Sequence, residues 1–90
     1  MLILQEEKGF KKDLKLMQRR SKDIEKIKII VRKLSAKETL PPKYRNHVLS
    51  GNYKGFCECH VEPDWLLIYK ITKTNLILVR TGTHSDLFGK

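Results

Sequence analysis

An α+β fold is the architecture this sequence predicts: two N-terminal helices on one face of a small antiparallel meander sheet, in the order β-α-α-β-β-β. Three observations lead there. Apolar residues between positions 8 and 34 recur at helical spacing. Pro41 and Pro42 then close the helical region. Beyond the loop that follows come three strand-like runs separated by short turns. Ninety residues make one domain, 1–90, with two layers and a thin core. That leaves no deep cavity for a large organic cofactor.

Leu2–Leu4 is a short apolar run and reads as a first strand. Phe10, Leu14 and Met17 alternate with Lys11, Lys12, Asp13, Lys15 and Gln18, which predicts a helix over 8–19. Ser21 is the expected N-cap of a second helix, with Asp23 in its first turn. Ile24, Ile27, Val31 and Leu34 form its buried stripe and Ile30 widens it. Two helices joined at Arg20–Ser21 suggest an antiparallel pair. Lys43–Tyr53 is a polar loop. Residues 54–60 are the next strand, ended by His60. Residues 65–72 are the most apolar run and the expected central strand, and 76–81 are the last. The Lys73–Asn75 and Val61–Asp64 links are short enough to join neighbouring strands. On the central strand, Trp65 and Tyr69 share one face with Leu67, which favours core packing over base stacking. Cys57 and Cys59 share the face opposite Phe56, Glu58 and His60, as small buried residues.

Charge is unevenly spread along the chain. The formal balance is +9. Residues 1–45 hold 14 Lys and Arg against 6 Asp and Glu, so the first half carries nearly all of it. A surface of that kind suits a polyanion, although a solvated lysine-rich helix face gives the same count. The Met-Leu-Ile-Leu start is followed at once by Gln5, Glu6 and Glu7, which is not a secretory signal. No apolar run approaches the ~20 residues of a membrane span. Cys57 and Cys59, about 6.6 Å apart on a strand and pointing the same way, are poorly placed to pair. The expected setting is a reducing cytoplasm, with no membrane contact.

All three histidines lie in the second half, each beside a turn. In a three-stranded meander the end of the first strand lies beside the start of the second, so His60 and Asp64 meet across Val61–Pro63. The last strand returns to the same edge and brings His84. Three imidazoles and a carboxylate suit three readings. They can carry acid–base cleavage of RNA, since histidines titrating near neutrality move protons without a metal. They can ligate Zn²⁺, although the spacing matches no standard zinc motif. Or they are ordinary polar residues. Arg80 either holds a phosphate or caps a sheet edge, and Lys54 and Lys70 are similar cases. Phe88 either anchors the C-terminus or stacks on an exposed base.

The stretch Tyr44–Tyr69, YRNHVLSGNYKGFCECHVEPDWLLIY, and the tail Val79–Phe88, VRTGTHSDLF, closely resemble the YafQ family of the RelE/ParE superfamily, toxins of bacterial type II toxin–antitoxin systems. The KGFKKDLK segment resembles that family's first helix, so the likeness spans essentially the whole chain. The resemblance implies a RelE-like fold and an endoribonuclease that cuts translated mRNA in the ribosomal A site, needing no metal and no other cofactor. It implies catalytic roles for His47, His60, Asp64 and His84, and a site role for Phe88. It implies an antitoxin partner that dimerises through a ribbon-helix-helix domain, wraps the toxin in a heterotetramer and carries the complex to operator DNA. Two alternatives stand beside it. One is a non-catalytic toxin like the gyrase-poisoning branch of the superfamily, and the other is a basic RNA-binding module. The chain departs from the family where Asp-His-Pro is common and Asn46, His47, Val48 stand, and where Arg is common and Cys57 stands.

Overall fold

The computed structural model describes residues 1–89. The chain runs β1 (Ile3–Glu6), α1 (Lys8–Arg19), α2 (Ile24–Ser35), β2 (His47–Val48), β3 (Cys57–Glu62), β4 (Trp65–Ile71), β5 (Asn75–Gly82) and α3 (His84–Phe88). The α+β class and the two N-terminal helices are as read from the sequence. The strands form one sheet in the order β1-β5-β4-β3-β2. Its middle is the expected antiparallel meander, with β4 central.

The edges differ from expectation. The first strand is shifted to Ile3–Glu6 and pairs parallel to β5, Ile3 opposite Asn75, so the whole sheet is mixed rather than purely antiparallel. Three apolar residues do not encode which edge a strand joins. Leu2 is instead buried, its N–H donating to the Ser35 carbonyl at 2.8 Å. The polar loop holds 3₁₀ turns at Pro42–Tyr44 and Gly51–Tyr53 and the two-residue β2. Residues 54–56 belong to the turn region before β3, which starts at Cys57 and continues past His60 to Glu62. His60 therefore lies inside the strand, just before an irregularity in its pairing with β4.

Helix α2 is capped by Asp23, not Ser21. The Asp23 carboxylate accepts from the Glu25 N–H at 3.1 Å. Ser21 has φ 63° and turns the chain between the helices. The C-terminal tail, without an assigned structure in the sequence reading, forms α3. Thr83 caps it in a reciprocal box: its hydroxyl accepts from the Asp86 N–H, while Asp86 accepts from the Thr83 N–H.

The period-2 alternation of β4 feeds two cores. Trp65, Leu67 and Tyr69 face the larger one with Phe10 and Met17 of α1, Ile27, Ile30 and Leu34 of α2, and Cys59. Leu66 and Ile68 face the smaller one, where Leu87 of α3 packs with Leu49, Tyr53, Phe56 and Val79 nearby. Inside the sheet, the Trp65 Nε1–H donates to Thr81 Oγ1 at 2.9 Å, and the Thr81 hydroxyl donates to the Leu66 carbonyl at 2.6 Å. The sheet thus has a core on each face, and the smaller core anchors the helix that bears His84.

Candidate active site

The sheet's pairing fixes the site before any side chain is considered. His60 lies opposite Leu66, and Leu66 lies opposite Gly82. His47 lies opposite Glu58, two residues before His60 on the same face. Pro63–Asp64 is the turn between β3 and β4. These alignments gather His47, His60, Asp64 and His84 at one end of the sheet.

The three imidazoles form a row. The His47 and His60 ring centres are 6.5 Å apart, and those of His60 and His84 are 5.8 Å apart. His60 is the half-buried middle member, its side chain 12% exposed, while His47 and His84 are 49% and 47% exposed. Ring nitrogens of His47 and His60 have backbone partners: His47 Nδ1 with the Arg45 carbonyl at 2.8 Å, and His60 Nδ1 with the Pro63 carbonyl at 3.3 Å.

Each end of the row has its own carboxylate. Asp64 Oδ1 accepts from the His84 backbone N–H at 2.9 Å and meets His84 Nδ1 at 2.6 Å. Those contacts, the backbone one foremost, hold the Asp64 carboxyl below the usual carboxylate range. At the other end, Glu58 Oε1 stands 3.3 Å from His47 Nε2 and 3.8 Å from His60 Nε2. Glu58 is buried, and the sequence reading assigned it no role. Its signal was present: it alternates with His60 on the strand face opposite the cysteines.

The remaining candidates are placed unequally. Phe88 is exposed on α3, with its ring edge-on to Tyr53 at 5.9 Å between centres. Lys54 is exposed after the 3₁₀ turn that ends at Tyr53. Arg80 turns instead toward α1, where Asp13 accepts from its Nε and Nη2 and raises its pKa. Helix α3 is held from outside by Arg20, which grips Asp86 through both terminal nitrogens, at 2.6 and 3.1 Å. Glycine at 82 permits this approach, since a Cβ there would meet the Asp86 Cβ at 3.0 Å. Asn46 accepts from the Tyr69 hydroxyl and so ties the His47 loop to the main core.

Cys57 is half-buried and Cys59 buried, and both are free thiols. Burial, reinforced by Glu58 and Cys57, pushes the Cys59 thiol up to about 12. Among the described residues, no group of three or more His, Cys, Asp or Glu side chains stands close enough to hold a metal ion. No helix among them is long and apolar enough to cross a membrane.

Comparison with known proteins places this geometry. Residues 2–89 match the family model described as the bacterial toxin of type II toxin–antitoxin system, YafQ. The mRNA interferase toxin YafQ of Escherichia coli (strain K12) is 48% identical over 81 residues, covering 89% of this chain and 88% of the relative. The crystal structure of the E. coli DinJ-YafQ complex superposes with a TM-score of 0.91 at 43% identity, covering 99% of this chain and all of that one. A metal-bound toxin from Helicobacter pylori superposes with a TM-score of 0.92, also at 43% identity, covering 98% of this chain and all of that one. With a full-length family match and close relatives in both sequence and structure, this chain belongs to the YafQ family of bacterial toxins of type II toxin–antitoxin systems.

Proposed function

We propose that this protein is an mRNA interferase, cutting ribosome-bound message by metal-independent acid–base transesterification. The observation that carries the reading is the row of three imidazoles with a carboxylate at each end. In the reaction the ribose 2′-oxygen attacks phosphorus and loses its proton. The bond to the 5′-oxygen breaks, and that oxygen gains a proton. The products are a 2′,3′-cyclic phosphate and a 5′-hydroxyl end.

The two carboxylates divide the work. Asp64 is engaged with His84 through two contacts, so it orients that ring instead of acting as a base, and His84 Nε2 is left to protonate the 5′-oxygen. The Glu58–His47 pair takes the proton from the 2′-hydroxyl, with the Glu58 carboxylate as its final acceptor, because both ring nitrogens of His47 face acceptors. His60, between them, steadies charge on the phosphorane. Phe88 stacks on a base, with Tyr53 as its backing. Lys54 contacts phosphate, and Arg80 adds charge nearby while paired with Asp13.

The test is alanine substitution at His47, His60, Asp64 and His84 singly, with cut sites mapped on a translated message. Losing a general acid or base is expected to slow cleavage by roughly 10²–10⁴-fold. Four fully active variants would sink the assignment. Intact RNA after induction of a growth-arresting wild type would favour the gyrase-poisoning alternative, and binding without cutting would favour the RNA-binding module. Cleavage should persist with a chelator selective for transition metals over magnesium; its loss would restore the metal reading.

The partner reading follows from the same family. A cognate ribbon-helix-helix antitoxin is expected to wrap the chain in a heterotetramer and to carry it to operator DNA, as the solved DinJ-YafQ complex supports in its simplest form. The site of action is the cytoplasm, where the ribosome is.

A further inference from the structure

A second concavity adjoins the catalytic row. It is a cleft of about 400 Å³ between α2 and the Pro42–Tyr44 turn. That volume lies in the range of small-ligand sites, roughly 300–1,000 Å³. It is lined by Lys26, Lys43 and Arg45 on its charged side and by Ile29, Tyr44 and Pro63 on its apolar side. His60 forms part of its wall. Arg45 joins it to the catalytic row a second time, because the Arg45 carbonyl is the partner of His47 Nδ1.

We propose that this cleft holds one nucleotide of the single-stranded RNA next to the one being cut. The inference rests on the nuclease reading above and names where the neighbouring residue of the substrate lies. Two independent features point to a nucleotide. The first is charge. Three cations line the cleft against one carboxylate, Glu62, which is itself held by Lys26 at 2.8 Å and Lys22 at 3.1 Å. The second is a partly exposed apolar surface. Ile29 is 39% exposed on α2, although Lys26 and Lys33, three residues before it and four after, keep that helix face charged. A phosphate suits the cations and a base suits Ile29, Tyr44 and Pro63, which is the pairing of backbone charge with apolar platform that single-strand sites use. An apolar protein segment would leave Lys43 and Arg45 without acidic partners, and a bare anion would leave Ile29 exposed.

The experiment has two arms, both on the full chain. In the first, cleavage of a translated message is measured for wild type, for Lys43→Gln with Arg45→Gln, and for Ile29→Asp. A control is Lys73→Gln, an exposed residue in the turn between β4 and β5, at the opposite end of the sheet. The cleft pair is expected to raise KM about tenfold with kcat little changed, and to flatten the salt dependence by about 0.7 in log–log slope, as loss of one phosphate contact on a single strand requires. The control is expected to raise KM less than threefold. Ile29→Asp is expected to change which base is favoured beside the cut. A cleft pair that behaves like the control overturns the proposal while leaving the nuclease reading intact.

In the second arm, the uncleavable probe deoxyuridine 3′,5′-bisphosphate is titrated into the free protein and followed by backbone amide NMR. Amides of residues 26–29 and 43–45 are expected to shift, and the cleft pair to abolish those shifts. Shifts confined to residues around His47 and His84, or none at millimolar probe, overturn the proposal. Wild type that binds the probe in the cleft yet never cuts RNA would instead overturn the nuclease reading alone.

Discussion

Asp64 places one oxygen against both the backbone and the ring of His84, which gives this residue a sharper role than its position in a turn suggests. Asp64→Asn keeps the size and removes the charge, so His84 is expected to lose its preferred orientation and cleavage to fall at least tenfold with KM little changed; single-turnover kinetics check this. Glu58 is the corresponding residue at the other end. Glu58→Gln retains packing and should mimic the His47 defect in the pH profile of cleavage, whereas a purely structural Glu58 would leave the profile unmoved. The cysteines give an independent check on the burial pattern. The thiolate is the reactive form, and Cys59 is pushed up to about 12 by burial. One thiol, Cys57, is therefore expected to react with a thiol reagent at pH 8 in the native protein, and two in denaturant. Rapid labelling of both would contradict the alternation that puts Cys59 inside.

Helix α3 is too short, at five residues, to be stable by itself. Leu87 gives it an apolar anchor, Thr83 caps it, and Arg20 and Asp64 hold it from two sides. Thr83→Ala removes the cap and is expected to cost about 1 kcal/mol. Urea unfolding measures that loss, and cleavage should fall further than global stability because His84 and Phe88 both ride on this helix. Within the sheet, Thr81 serves the Trp65 N–H and the Leu66 carbonyl at once. Thr81→Val leaves a buried donor unpaired and should destabilise the fold by roughly 1–3 kcal/mol, read from the same unfolding curves.

For the whole molecule, acid stability follows from three carboxylates held below their ordinary range. Asp86 is lowered chiefly by Arg20 and then by the Thr83 backbone, Glu62 by Lys26 and Lys22, and Asp64 by the His84 backbone and ring. A group lowered in the folded state contributes stability above its unfolded pKa and loses it as pH falls through the folded value. The urea midpoint is therefore expected to drop between pH 5 and pH 3. Asp86→Asn should lower the midpoint at pH 5 and shrink the drop; an unchanged drop would mean that the Arg20 contact does not persist in solution. The basic excess of the first 45 residues belongs to this scale too: under the proposed function, association with ribosomes is expected to weaken steeply as salt rises, and a salt-insensitive association in co-sedimentation would count against it.

Local patterns along the chain are enough for the class of fold, the two helices, the central strand and the convergence of His60, Asp64 and His84 on one sheet edge. Apolar period and turn residues are local, and a meander of consecutive strands leaves little freedom in where its ends go. His47 and Phe88 were legible through resemblance, because a loop and a tail have no periodicity to place them. Packing in three dimensions set the parallel pairing of β1, the α2 cap at Asp23 rather than Ser21, and the commitment of Arg80 to Asp13. Those choices depend on partners 67 to 72 positions away, or on backbone geometry such as the φ of 63° at Ser21, which composition does not record. The two ends of the histidine row were decided in the same way. Glu58 acquires its place between His47 and His60 from the pairing of β2 with β3, and Asp64 acquires His84 from a turn and a helix that meet only once the sheet has formed.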